Sequence, residues 1–336
     1  MNNYKYKKVC VLLFTALITS VQGSDIKLAQ TGFQFLSVSS DARAGAMGDA
    51  MTTLFTQSSS LFFNPAGMSR QDNFINASLS QNHWIADIKH NAISVSVAPM
   101  NGKFGIFGMS FLHVDYGEMQ GTMVWDNAQG FIDTEIFSPS AMALGIGYAK
   151  SLSNKFSVGG QIKTASQYLG KNVVPETDTS QTVVKNVTDA LAFDFGTIYQ
   201  TGWKSFAFGM SVRNFSQEIK FQTEGFQLPL TFAIGASMDV LDFFPSKPTA
   251  QQLVLSIDAL HPRSYSERLN IGLEYRLLNL LNVRAGYLVN YDEQDFTAGI
   301  GIQKHLGPIY IGVDYAYTPF GVFDDVQRLT LNISLN

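Results

Sequence analysis

From about Asn73 onward, apolar and polar residues alternate in segments of roughly 8 to 13 residues, the signature of strands with two unlike faces. Leu269, Ile271, Leu273, Tyr275 and Leu277 share one face, with Asn270, Gly272, Glu274 and Arg276 on the other. The next segment sets Leu281, Val283, Ala285, Tyr287, Val289 and Tyr291 against Asn282, Arg284, Gly286 and Asn290. The last sets Leu329, Leu331, Ile333 and Leu335 against Arg328, Thr330, Asn332 and Ser334. Between Phe104 and Tyr116 both faces carry large apolar residues, and the pattern does not choose an inner one.

The polar face separates a soluble sandwich from a membrane barrel. A sandwich turns a Lys-, Glu- and Thr-rich face to water. Here that face is mostly Gly, Ala, Ser and Asn, while the apolar face carries Tyr at its ends, as a lipid-facing band with aromatic girdles does. The segments number about fourteen, even as in bacterial barrels. Short turns at Pro99–Gly102, Ser151–Asn154, Thr201–Gly202, Leu278–Asn279 and His305–Pro308 alternate with longer connectors near Gly117–Phe137, Leu169–Val187 and Phe215–Leu228. That asymmetry predicts tight periplasmic turns and larger external loops. Asp242–Thr249 breaks it, falling on the short-turn side yet containing Pro245 and Pro248. The expected fold is all-β: a transmembrane antiparallel barrel from residue 73 to 336.

Residues 31 to 70 do not alternate. Asp41–Leu54, rich in Ala, Met and Gly, predicts a short helix that Ser39 or Ser40 can cap. Ser58–Ser60 and Leu61–Arg70 read as turn and loop. Residues 24–72 are too few for a second domain and suit a helical hatch folded into the lumen.

At the N-terminus, Lys5, Lys7 and Lys8 precede a short apolar run from Val9 to Ser20, and Val21–Gly23 offers a cleavage site. This predicts a secretory signal peptide at residues 1–23, hence export to a bacterial outer membrane. Its removal takes the net charge from −4 to −7 and removes Cys10, the sole cysteine. Disulfides, thiolate metal sites and cysteine nucleophiles are then excluded. The low charged fraction, 15% against about 25% in soluble domains, agrees with a membrane protein. An acidic balance without Lys/Arg clusters argues against nucleic acid.

Two stretches of the hatch are distinctive: Phe35-Leu36-Ser37 followed by Ser40-Asp41-Ala42-Arg43-Ala44-Gly45-Ala46-Met47-Gly48-Asp49-Ala50, and Phe62-Phe63-Asn64-Pro65-Ala66-Gly67-Met68. With Ser140–Leu144, Gly147–Lys150, Lys155–Gly160, His261-Pro262 to Tyr275, Arg284–Tyr287 and Tyr291–Glu293, the chain resembles the PorV/PorQ family of outer-membrane proteins, related to the FadL-type channels. The resemblance spans nearly the whole mature chain. It implies a FadL-like barrel of fourteen strands with an N-terminal hatch, and one of two activities. One is docking or transfer of secreted proteins bearing a C-terminal secretion signal, as in type IX secretion. The other is uptake of long-chain fatty acids or other hydrophobic small molecules. Partners implied are outer-membrane lipid and the assembly machinery, which the alternating terminal strand Arg328–Asn336 would address.

Candidate site residues lie in the hatch and one loop. Asp41 and Arg43 are expected to pair with each other or with lumen charges such as Glu274, Arg276 or Arg284, because an unpaired buried charge is costly. Gly45, Gly48 and Gly67 permit close approach or positive φ. Pro65 fixes its own φ, and Asn64 can bond nearby backbone. These residues suit a packed plug or a ligand gate. Phe221, Phe226 and Leu228 form a candidate docking loop if exposed, or part of the barrel rim. The five histidines show no metal-ligand spacing. Asp292, Glu293 and Asp295, with Asp324 and Asp325 nearby, read as solvated loops rather than a calcium site. No catalytic constellation or cofactor motif is found, and Gly145-Ile146-Gly147 and Gly299-Ile300-Gly301 are strand glycines.

Overall fold

Closure into a barrel pairs every strand edge, the condition for spanning lipid with strands. The computed structural model describes residues 31–177, 180–221, 224–244 and 250–336; the signal segment expected at 1–23 lies outside them. Fourteen antiparallel strands form one closed barrel. The first seven are β1 (Ile75–His83), β2 (Lys89–Val97), β3 (Ile106–Asp115), β4 (Ser140–Ser151), β5 (Phe156–Thr177), β6 (Ser180–Gln200) and β7 (Ala207–Phe215). The rest are β8 (Thr231–Asp239), β9 (Gln251–Pro262), β10 (Arg268–Leu277), β11 (Leu281–Val289), β12 (Phe296–Leu306), β13 (Ile309–Thr318) and β14 (Val326–Leu335). Each strand pairs with its neighbour in sequence. β14 closes on β1, from Ile75 opposite Leu335 to His83 opposite Gln327.

Leu79, Ile93, Met109, Ile146, Val283, Ile300, Val313 and Leu329 are exposed around the outer wall, while Asn76, Ser94, Ser110, Asn270, Asn282 and Thr330 are buried inside. The outer residues make the apolar band. The connections β2–β3, β4–β5, β6–β7, β8–β9, β10–β11 and β12–β13 share one end with the start of β1 and the end of β14. By the rule for such barrels this end is periplasmic. Trp203 there meets Phe243 edge-on at 5.7 Å, and the Lys204 ammonium lies 3.9 Å from the Phe243 ring, an interfacial girdle. In the exceptional β8–β9 connection, Val240–Phe243 forms a 3-10 turn and residues 245–249 lie outside the described part.

The external connectors hold more strand than the sequence predicts. Met119–Val124 pairs with Phe131–Phe137, and Ile219–Phe221 with Glu224–Phe226. Leu169–Val187, expected as a connector, is largely the continuation of β5 and β6, which stay paired to Thr177 opposite Ser180. Its valines and threonines favour the extended ladder. β4 follows β5 only as far as Tyr168, and β7 meets β6 only from Phe193 onward. Beyond those residues the β5–β6 hairpin stands clear of the wall.

The chain from Thr31 runs down the lumen to β1. Thr31 bridges to Gln227 at the outer mouth. A 3-10 turn (Gln34–Ser37), a helix α1 (Ala42–Ala46) and two further 3-10 turns (Gln57–Phe62 and Pro65–Met68) follow. The helix expected over Asp41–Leu54 thus has only 5 residues, because Gly48 and Asp49 turn to φ 58°. Its cap is Asp41 and not Ser39 or Ser40: the carboxylate accepts from the Ala44 amide at 2.8 Å. The ambiguous segment β3 is explained by contact with this hatch. Its inner Ile106 packs with Leu61 and Met68, and its inner Leu112 and Val114 cluster with Phe33 and Phe35. The small inner residues also gain a reason beyond closure: a Cβ at Gly286 would lie 2.2 Å from the Gly48 nitrogen.

Barrels of this kind hold their ladder in detergent. The purified protein is expected to resist SDS at room temperature and to shift in gel mobility on boiling, with β-dominated circular dichroism. Predominantly helical dichroism would contradict the fold.

Candidate functional site: the plugged lumen and its outer mouth

The inward register places Glu274 and Arg284 on the neighbouring strands β10 and β11, and Asp314 on β13 beyond β12, all facing α1. Arg43 grips Glu274 through two bonds of 2.8 Å, Nε to Oε2 and Nη2 to Oε1. Arg284 donates to Glu274 and to Asp314, both at 2.6 Å, and Arg276 reaches Glu274 at 3.3 Å. Glu274 is 1% exposed, so this charge is held only because three guanidiniums surround it. Asp41 instead serves the backbone of α1. Burial in the hatch pushes its carboxyl up to about 6, opposed by the Ala44 amide. Glu274, Arg276 and Arg284 were legible as lumen charges; Asp314 needed the strand order.

The second stretch anchors the other end of the hatch. Asn64 Oδ1 accepts from the Ala66 amide at 3.1 Å. Its Nδ2 donates to the Thr52 carbonyl at 2.7 Å and to Thr197 of β6 at 3.2 Å. Pro65 opens the 3-10 turn, where no amide is needed. Gly67 lies against Leu54, where a Cβ would stand 2.7 Å from the carbonyl oxygen, and one at Gly45 would meet the Arg328 side chain at 2.7 Å. Between these anchors the Thr52 amide donates to Asp258 of β9 at 2.8 Å. Across the lumen, Asp194 of β6 accepts from Lys163 and from the Asn214 amide, each at 2.7 Å. Charge at inward strand positions was the available signal for Lys163, Asp194 and Asp258, and the sequence reading did not use it.

Three cavities border the hatch, and one of about 580 Å³ opens at the periplasmic end between Leu54, Phe55, Ser205, Met238 and Gln252. The apolar-walled one, between Leu36, Phe62, Leu112 and Ala143, holds only about 50 Å³. The third, about 330 Å³, opens at the outer mouth between Ser39, Asp49 and Arg328 below and Arg263, Tyr265 and Glu293 above. The Arg268 guanidinium is stacked there between Tyr265 and Tyr291, at 4.0 and 4.1 Å. Tyr291 therefore does not continue the lipid-facing register of β11. The strand ends at Val289, Asn290 turns to φ 64°, and the Tyr291 hydroxyl donates to inward-facing Asn270 at 3.0 Å.

The proposed docking residues sit differently from an exposed patch. Leu228 is fully buried and Phe226 stacks on Phe33 with centroids 5.9 Å apart, so the start of the hatch covers both. Phe221 ends its short strand, its side chain outside the described part. Glu293 accepts weakly from the Val322 amide, and Asp325 accepts from the Tyr317 hydroxyl. Among the described residues no group of three His, Cys, Asp or Glu is arranged to hold a metal.

A closed fourteen-strand barrel with an apolar outer band defines an outer-membrane-type membrane protein. The family model of the type IX secretion system membrane protein PorP/SprF matches residues 44–324, hatch and barrel together, and the chain belongs to this family. The secretion system is the one that the PorV/PorQ resemblance implied; the matching model is PorP/SprF. Among solved structures, the Pseudomonas putida toluene transporter TodX is similar with TM-score 0.56 and 12% identity, over 87% of this chain and 96% of that one. The CymD monoaromatic hydrocarbon channel is similar with TM-score 0.53 and 10% identity, over 88% of this chain and 97% of that one. At these identities the likeness is one of fold. No curated protein sequence matches the chain.

Proposed function

We propose that this barrel is a non-enzymatic docking protein of type IX secretion, holding or transferring a secreted partner at the cell surface in the manner first read from the PorV/PorQ resemblance. The observation that carries this reading is the β5–β6 hairpin. Its strands of 22 and 21 residues are about twice the 9–11 that a bilayer crossing needs. The surplus, roughly ten residues a strand, rises about 30 Å beyond the wall at ~3.4 Å per residue. At its base Lys171 reaches Glu135 of the neighbouring external hairpin, and beyond that no described strand pairs with its outer edges, on which a partner strand can add. Membership of the PorP/SprF family supports the same reading. A FadL-like channel for hydrophobic molecules ranks second, because the cavity between the hatch and the upper wall holds about 50 Å³ against the several hundred that ligand sites occupy, and the space of about 580 Å³ at the periplasmic end is an open recess rather than an enclosed pocket.

The test is mild-detergent purification from the native outer membrane, with mass spectrometry of bound proteins and lipids, on the full chain and on one lacking residues 170–185. Stoichiometric secreted proteins or secretion-machinery subunits, lost with the deletion, are the expected result. A barrel alone, carrying fatty acid or another apolar molecule in both forms, would reverse the ranking.

A further inference from the structure

The outer-mouth cavity gathers cationic groups that the packing of the plug does not use. Four arginines line it: Arg213 of β7, Arg263, Arg268 of β10 and Arg328 of β14. Deeper in the lumen, Arg43, Arg276 and Arg284 all meet carboxylates, yet none of these four is in an ion pair among the described residues. Arg213 donates one bond to the Phe62 carbonyl, Arg263 one long bond of 3.5 Å to Leu228, and Arg328 bonds Ser39 and Thr318. Arg268 Nε and Asn270 Nδ2 are buried donors without an acceptor, and Asp49 Oδ1 is a buried acceptor without a donor. These three groups lack a partner within the protein and border an open cavity, so a bound group can meet them together with the four guanidiniums.

We propose that this cavity binds an acidic peptide segment of the docked partner, an Asp or Glu carboxylate entering the guanidinium cluster. The inference rests on the docking reading and gives it a chemistry. Guanidiniums fit a carboxylate through paired N–H bonds. The unmet acceptor on Asp49 distinguishes a peptide from a simple anion: a peptide supplies N–H donors beside its carboxylate, whereas inorganic phosphate serves the arginines alone. Asp292 and Glu293 also line the cavity, leaving four cationic against three acidic groups. That balance selects one carboxylate and disfavours a polyanion. Trp84 and Phe320, in edge contact at 4.9 Å, give an apolar wall for the rest of the segment.

The experiment is calorimetric titration of the full chain in detergent with N-acetyl-Ala-Ala-Glu-amide, its glutamine counterpart and inorganic phosphate. The glutamate peptide is expected to bind at least tenfold more tightly than the other two, and Arg268→Gln to weaken it at least tenfold. Arg263→Gln, at a looser position, is the second variant, and an unchanged boiling shift of each certifies folding. Equal binding of the glutamate and glutamine peptides, or no binding, would overturn the proposal. So would phosphate binding as tightly as the glutamate peptide, the mark of an anion site. Failure of the docking reading looks different: the peptide binds, but membranes yield no protein partner. If instead the partner is captured equally by wild type and Arg268→Gln, docking stands and the cavity has no part in it.

Discussion

Glu274→Ala is expected to destabilise the plugged barrel by about 3–5 kcal/mol, seen as a large fall in the temperature at which the gel-mobility shift occurs. The carboxylate is 1% exposed and meets Arg43, Arg284 and Arg276. Its loss leaves Arg43 without a carboxylate partner in the lumen, while Arg284 keeps Asp314 at 2.6 Å. The converse change, Arg43→Ala, is milder because Glu274 retains two guanidiniums. It removes two charge-assisted bonds, worth roughly 1.5–3 kcal/mol each before relaxation and non-additivity reduce the sum. Glu274→Gln should fall between them, keeping one acceptor while turning an amide N–H₂ toward arginine. Because Arg43 belongs to the hatch, Glu274→Ala should also raise conductance in planar bilayers. Equal losses from Arg43→Ala and Glu274→Ala would show that Glu274 acts only through the one pair.

The barrel was legible because period-two alternation is local and the contrast between lipid and lumen writes it into every wall strand. The same physics explains the failures. In the β5–β6 hairpin beyond Tyr168 that contrast is absent, so Leu169–Val187 shows no clean alternation and reads as a loop although its ladder persists. Tyr291 kept its parity in the sequence, but the turn at Asn290 redirects it into the mouth. Phe226 and Leu228 look like an exposed patch until Phe33 and its neighbours cover them. Glu274, Arg276 and Arg284 could be named as partners for Arg43 since they share an inward register on neighbouring strands. The mouth cluster could not: Arg213 and Arg328 come from strands far apart in the sheet order, and only closure and the hatch bring them to one cavity. Asn64 was readable as a turn residue, but its bond to Thr197 depends on where the hatch meets β6.

That meeting point supplies the second large effect. In Gly159→Val, the new Cβ falls 2.5 Å from the Ala66 nitrogen and 2.7 Å from the Pro65 oxygen, and both are backbone atoms that no rotamer change can move. Relief requires shifting the Asn64–Pro65 turn, which breaks the Asn64 bonds to Thr52 and Thr197, each worth about 1 kcal/mol, on top of overpacking of about 1–3 kcal/mol. The ladder between β5 and its neighbours carries no side-chain requirement at this position, so the wall should close normally around a displaced hatch. The expected result is a variant that still shifts on boiling, exchanges amide hydrogens faster over residues 57–68, and conducts in planar bilayers where the parent is silent. Gly160→Val is the control. One residue along, a Cβ meets only the Asp194 carbonyl at 3.5 Å and the Phe195 ring at 3.7 Å, ordinary contacts on the outer face. If both variants behave like the parent, Gly159 is not what seats the hatch. If both conduct, the effect lies in β5 itself and not in contact with the plug. A difference between adjacent glycines would tie hatch seating to the inward face of one strand, and the silent parent would then owe its closed lumen to that contact.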